Sequence, residues 1–329
     1  MEPFTFANPS VSSSTSSSFC FGTPTPPTLL PPNQSNNTPT QSADNVGLLE
    51  TPWRQVDWSE EAREALMKSV LSHKPTCESV SEGRVLLLGP IGAGKSSFIS
   101  SVQSVYSGRV INWAMVGSAS NSSFTKKLQG FKIHASENQD QKTGLVLCDV
   151  MGLGDEETAG LTLYDILAVT KGHAPDRHMF SPDQPVRSET PGYVKKPALK
   201  DRIHCVAFVV DASKILSYSK AMSTTLQQLR QHFHDLGVHQ VALLTHVDEV
   251  CMQTALDASQ VYHSKAVQQA MARASSLLGM PPSYIMPVKN YSKDLELDGH
   301  TSTLLLKAVD HILQYVDLYF KDNKEPVYM

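Results

Sequence analysis

The chain has 329 residues, 40% of them hydrophobic, with 28 Lys and Arg against 32 Asp and Glu and a formal net charge of −4. That length allows one large domain or two small ones, and a balance so near neutral gives no global basic field of the kind that carries nucleic-acid or membrane-surface binding. Five widely spaced cysteines (Cys20, Cys77, Cys148, Cys205, Cys251) without a CxxC pair point to a reducing compartment rather than a disulfide framework or zinc site, and no apolar run approaches the ~20 residues that span a bilayer.

Residues 1–50 are dominated by Ser, Thr, Pro and Asn, and Ser12–Ser18 is entirely Ser and Thr. So polar a stretch does not bury enough apolar surface to offset the entropy of ordering it, and a disordered tail is expected, with no secretory signal in it. Residues 51–80 read as a lead-in segment. Within it, Ser59 is placed to cap a helix with Glu60 and Glu61 in its first turn and Ala62, Leu66 and Val70 as its stripe, anchored by Trp53 and Trp58.

The apolar run Val85-Leu86-Leu87-Leu88 predicts a buried strand. It ends in Gly89, and four residues later come Gly94-Lys95-Ser96, so G-x-x-x-x-G-K-S lies between that strand and a helix running to about Tyr106. The residue types answer a chemical need. A polyphosphate is cradled by backbone N–H groups where the chain turns tightly. Gly89, Gly92 and Gly94 allow that turn, and the amides up to Ala93 and Ser97 complete it. Lys95 supplies a cation for the β- and γ-phosphates, Ser96 a hydroxyl for Mg²⁺, and the helix N-terminus a favourable dipole.

A polar stretch at 117–125 follows. Thr125 is the candidate switch threonine and third Mg²⁺ ligand, with several serines competing for that role. Strands are expected at 128–134 and Leu145–Asp149, the second ending in Asp149-Val-Met-Gly152. This D-x-x-G needs an acid that holds Mg²⁺ through water and a glycine N–H that senses the γ-phosphate. Residues 172–202, with five prolines and scattered basic residues, read as a long surface insertion with solvated charges. Further strands are expected at Ile203–Asp211, Val241–Thr245 and Tyr284–Val288. The helices of this half are expected after Asp211, at 259–278 and at 301–320.

Alternating strands and helices predict an α/β fold: a P-loop NTPase over 81–322, its mostly parallel sheet covered by helices on both faces. Ligand then lies at the carboxyl ends of the strands. Thr245-His246-Val247-Asp248 stands where GTPases read guanine, the Asp accepting from N1 and the exocyclic amine, which adenine does not offer as a donor pair. Thr here replaces the usual Asn and His the usual Lys, and Asn290 is expected in the last loop over the base. The cofactors predicted are GTP/GDP and Mg²⁺.

The stretches Gly89–Phe98, Leu199–Ser213, Val241–Asp248, Asn290-Tyr-Ser and Glu296-Leu-Asp298 resemble the interferon-induced protein 44 family, over roughly residues 50–320. The resemblance implies a cytoplasmic, interferon-inducible protein of the innate antiviral immune response with a GTPase-like domain. Better-known members carry an additional N-terminal domain where this chain has its Ser/Thr-rich tail. Leu153 follows the D-x-x-G where many small GTPases place a water-orienting Gln, and Ile91 crowds the approach of an arginine supplied in trans. Slow intrinsic turnover is expected, with any acceleration coming from self-association across the nucleotide face. Two functions stay open: a weakly hydrolysing GTP switch, and an interaction protein of immune signalling in which nucleotide is a structural ligand. The partner is unnamed by the sequence, and no nucleic acid or membrane span is expected.

Overall fold

A computed structural model describes residues 47–114, 125–135, 142–154, 161–181 and 183–323. The expected tail up to residue 46 and most of the polar stretch at 117–125 lie outside the described residues.

The elements follow the alternation of the sequence: α1 (Glu60–Ser72), β1 (Gly83–Leu88), α2 (Lys95–Ser107), β2 (Gln129–His134), β3 (Lys142–Asp149), α3 (Leu163–Thr170), β4 (Cys205–Asp211), α4 (Lys220–Asp235) and β5 (His239–Thr245). Two short helices come next, α5 (Val247–Val250) and α6 (Met252–Leu256), then α7 (Lys265–Leu278), β6 (Ile285–Pro287) and α8 (Gly299–Asp322). The strands form one sheet in the order β2-β3-β1-β4-β5-β6, with β2 antiparallel to β3 and every other pair parallel. After β1 the chain builds to one side of it, then crosses and continues on the other. The carboxyl end of β1 is therefore the point where strand order reverses, the place at which open α/β sheets bind ligands.

All seven residues of β4 are buried, so both sheet faces are covered at the centre. One group of helices, α1, α2 and α8, packs together and against the sheet; a second, α4 and α7, packs together beside β5 and β6. In α8 the face Leu305, Val309, Ile312, Val316 and Phe320 is buried, and each such side chain contributes ~1.5–3 kcal/mol relative to exposure. Cys148 in β3 and Cys205 in β4 are both fully buried.

The lead-in segment is held as its residues suggest. The Ser59 side chain accepts from the Ala62 N–H. The Trp53 backbone N–H donates to the Tyr262 carbonyl at 3.0 Å, the Trp53 ring meets Tyr262 edge-on, and Trp58 lies edge-on to His300. The helix expected over 259–278 is broken. Asp257 caps a 3₁₀ stretch at Ala258–Tyr262, and Ser264 then starts α7 anew by accepting from the Val267 N–H. Two capping side chains seven residues apart favour two short elements over one long helix.

The insertion at 172–202 is more than a surface loop. Its Phe180 N–H donates to the Lys126 carbonyl, and Leu128 exchanges two backbone bonds with Arg177 and His178, each at 2.9 Å. Ala174, Phe180 and Val186 are buried. The Val186 N–H donates to Asp165 at 2.7 Å, and the His173 ring stacks on Tyr193. Arg177, Arg187, Lys195, Lys196, Lys200 and Arg202 are exposed, as solvated charges should be.

Candidate functional site

The loop after β1 is shaped by three glycines with different tasks. Gly92 and Gly94 have φ of +76° and +86°, a region that side-chain-bearing residues rarely enter. Gly89 has no such φ. A Cβ there would run into the Val209 carbonyl of β4, so its place is set by close approach of the neighbouring strand. Gly94 is also hemmed in, since an added Cβ would lie 3.1 Å from Asn290 and 3.3 Å from His246. It caps α2 with no side-chain bond, which leaves the first-turn amides without a side-chain cap.

Lys95 is only 7% exposed and folds back, donating to the Gly89 and Pro90 carbonyls at 2.9 Å each. Burial lowers its pKa to about 8, partly offset by the nearby Asp149 charge. Asp149, at the carboxyl end of β3, accepts from Ser96 Oγ at 2.6 Å and from Thr125 Oγ1 at 3.2 Å, while the two hydroxyls stand 3.4 Å apart. The three residues named for metal thus meet. Burial raises the Asp149 pKa; hydrogen bonds from Ser96 and Thr125 and the charge of Lys95 pull the other way. Its second oxygen, Oδ1, is buried without a hydrogen-bond partner among the described residues. One carboxylate and two hydroxyls are hard oxygen donors of the kind Mg²⁺ takes. Among the described residues no three His, Cys, Asp or Glu side chains gather to hold a metal.

The D-x-x-G loop is sewn to the glycine loop. The Leu153 N–H donates to the Gly89 carbonyl at 3.0 Å, and the Ile91 N–H donates to Leu153 O at 3.1 Å. Gly152 packs so closely on Ile91 that a Cβ would lie 2.8 Å from its Cα. Leu153 itself is buried.

From the other side come the β5 and β6 loops. Thr245 Oγ1 lies 2.8 Å from the Ala93 carbonyl and 3.0 Å from that of Val210, tying the end of β5 to the glycine loop. His246 adopts φ +54°, half-buried, with Nδ1 3.1 Å from Thr245 Oγ1. Asp248 sits in α5, and burial raises its pKa against the nearby His246 and Lys289. Asn290 Nδ2 donates to the Gly94 carbonyl at 3.3 Å, and its buried Oδ1 has no hydrogen-bond partner among the described residues. Its loop is pinned by Tyr291, whose N–H donates to Ser101 Oγ and whose hydroxyl meets Ser302 and the Asp298 backbone.

Two residues of this edge escaped sequence reasoning. Asp211, 2% exposed at the end of β4, accepts from the Ser213 N–H and hydroxyl and lies 3.5 Å from His246 Nδ1; Lys214 Nζ stands 3.3 Å from its other oxygen. The only available signal was an acid ending an apolar strand, with a lysine three residues on.

No family model matches the chain. It is 36% identical over 257 residues to interferon-induced protein 44 of Mus musculus, an alignment covering 78% of this chain and 60% of that protein. It is 37% identical over 265 residues to interferon-induced protein 44-like of Homo sapiens, covering 80% and 58% respectively. The chain therefore spans about three-fifths of the curated relatives it matches. Among solved structures it is similar to a probable GTP-binding protein engB, with TM-score 0.38, 11% identity and coverage of 71% of this chain and 98% of that one. Toc33 from Arabidopsis thaliana gives TM-score 0.42 at 14% identity, covering 80% and 93%.

Proposed function

Because the chain belongs to the interferon-induced protein 44 family over the four-fifths of its length that aligns, we propose that it is a GTPase-like, guanine-nucleotide-binding protein of the interferon-induced innate antiviral response, acting in the cytoplasm. The observation that carries the nucleotide reading is the convergence of Ser96, Thr125 and Asp149, with its unpartnered Oδ1, beside the glycine loop and Lys95. In this reading the amides from Gly89 to Ser97 and the Lys95 ammonium hold the phosphates, Gly152 lies at the γ-phosphate end, and Asp248 accepts the guanine N–H groups. His246 and Asn290 flank the base, and Thr245 fixes the base loop to the phosphate loop. Bound Mg²⁺ would neutralise phosphate charge, held by Ser96, Thr125 and, through water, Asp149.

Hydrolysis in this reading is slow or absent. Leu153 has no hydrogen-bonding side chain for a water, and its backbone is already committed to Gly89 and Ile91. That same commitment favours the second reading, an immune-signalling interaction protein for which nucleotide is a structural ligand. Any acceleration would come from self-association across the nucleotide face. No helix among the described residues is long and apolar enough to cross a membrane.

Calorimetric titration with GDP and a non-hydrolysable GTP analogue in Mg²⁺ tests the proposal. Saturable one-to-one binding is expected, weakened by chelator and abolished in Lys95→Ala with the circular dichroism spectrum unchanged. No heat with any nucleoside di- or triphosphate would overturn it. The nucleotide carried by purified protein separates the two readings: stoichiometric GDP marks past turnover, intact GTP a binding module.

A further inference from the structure

We propose that Lys214 is a second phosphate-contacting cation, supplied by the chain itself at Gly92 and aimed by the buried carboxylate of Asp211. The assignment deepens the nucleotide reading and rests on it. A Cβ built on Gly92 would find Lys214 Nζ 3.7 Å away, the one heavy atom within 4 Å among the described residues apart from its own chain neighbours. Gly92 is exposed and sits at the turn whose amides face a polyphosphate in that reading.

An exposed lysine paired with an exposed acid wanders, and its position means little. This one is different at its root. Its partner oxygen, Oδ2, belongs to a carboxylate whose side chain is 2% exposed and whose other oxygen accepts from the Ser213 N–H at 2.9 Å and hydroxyl at 2.7 Å, on the last residue of the central strand β4. The Lys214 side chain itself remains half exposed, so its ammonium is free to swing the short distance from Asp211 to an incoming anion. Asp211 would keep His246 as its neighbour when Lys214 turns to phosphate.

The arrangement also gives Ile91 a context. Its side chain is the one expected from the sequence to crowd an arginine supplied by another molecule, and its backbone is packed on Gly152. A cation provided in cis beside Gly92 does not need that route. Since a triphosphate carries more charge than a diphosphate, an ammonium at this turn adds more to binding of the former. Lys214 is thus a specificity-determining residue, and Asp211 the residue that positions it.

The test is affinity for a non-hydrolysable GTP analogue and for GDP, each with Mg²⁺, in unaltered protein, Lys214→Gln and Lys214→Arg. The Gln variant should lose about tenfold for the triphosphate and distinctly less for the diphosphate, with thermal unfolding of the ligand-free protein unchanged, and Arg should restore most of the loss. If unaltered protein binds both nucleotides and Lys214→Gln binds them equally well, the assignment to Lys214 fails while the nucleotide reading stands. If unaltered protein binds neither, the nucleotide reading fails and takes this assignment with it.

Discussion

At the scale of single residues, the candidate site holds two ionisable groups pushed in directions that a ligand would reverse. Burial brings Lys95 down to about 8 and raises Asp149. The proposed roles require an ammonium and a carboxylate. Protons therefore compete with Mg²⁺ at Asp149 as pH falls, beginning above the ordinary carboxylate range. At the other end, Lys95 must take up a proton to bind phosphate once pH exceeds about 8, and affinity then drops up to ~10-fold for each further pH unit. The affinity for GDP with Mg²⁺ should accordingly be bell-shaped in pH. The alkaline limb should be accompanied by proton uptake, visible as a dependence of the calorimetric heat on buffer ionisation enthalpy. A flat profile from pH 7 to 9.5 would remove Lys95 from the phosphate site.

At the scale of elements, neighbouring strands constrain the glycine loop as much as its own conformation does. Gly89→Ala would drive a methyl group into the Val209 carbonyl of β4, forcing apart the two central strands; a loss of more than ~3 kcal/mol in unfolding free energy is expected. Among the described residues, Gly92→Ala meets Lys214 alone, so its loss should be confined to the ~1–2 kcal/mol of a side chain at positive φ. Urea unfolding of the ligand-free variants would rank them, and equal losses would contradict this division of tasks. The contrast marks what was legible in the sequence. The glycine loop, Asp149-x-x-Gly152, Thr245–Asp248 and Asn290 each follow an apolar run, and a parallel sheet delivers the ends of such runs to one edge, so their convergence could be read from local pattern. Two features could not. The reason for Gly89 lies in β4, more than a hundred residues away, and the Asp211–Lys214 pair gains its place only because β4 lies beside β1. The packing of 172–202 was equally hidden, because its contacts with Lys126 and Leu128 follow no period.

At the scale of the whole molecule, His204 joins three separate parts of the fold. It is fully buried; its Nδ1 accepts from the Arg84 N–H of β1 at 2.9 Å, and its Nε2 donates to the Leu199 carbonyl at the end of the insertion, also at 2.9 Å. Its ring packs on Tyr319 and Phe320 of α8. Both nitrogens are used by the neutral tautomer, and a second proton on Nδ1 would oppose the Arg84 N–H. Burial, with Arg84 and Arg202 nearby, lowers the pKa from 6.5 to about 4, against the raising effect of the Leu199 bond. In the unfolded chain the ring protonates as pH falls through 6.5, whereas in the folded protein it stays neutral until about 4, so the unfolded state binds the extra proton throughout that window. Stability therefore declines with falling pH across it, by up to ~3 kcal/mol in all and ~2 kcal/mol by pH 5. His204→Phe should be less stable at pH 7, having lost both hydrogen bonds, yet its further loss between pH 7 and pH 5 should be smaller than that of the unaltered protein by about that amount. Urea unfolding at the two pH values measures the difference directly, and an identical decline in both proteins would exclude His204 as the residue that couples protonation to the joining of β1, the insertion and α8.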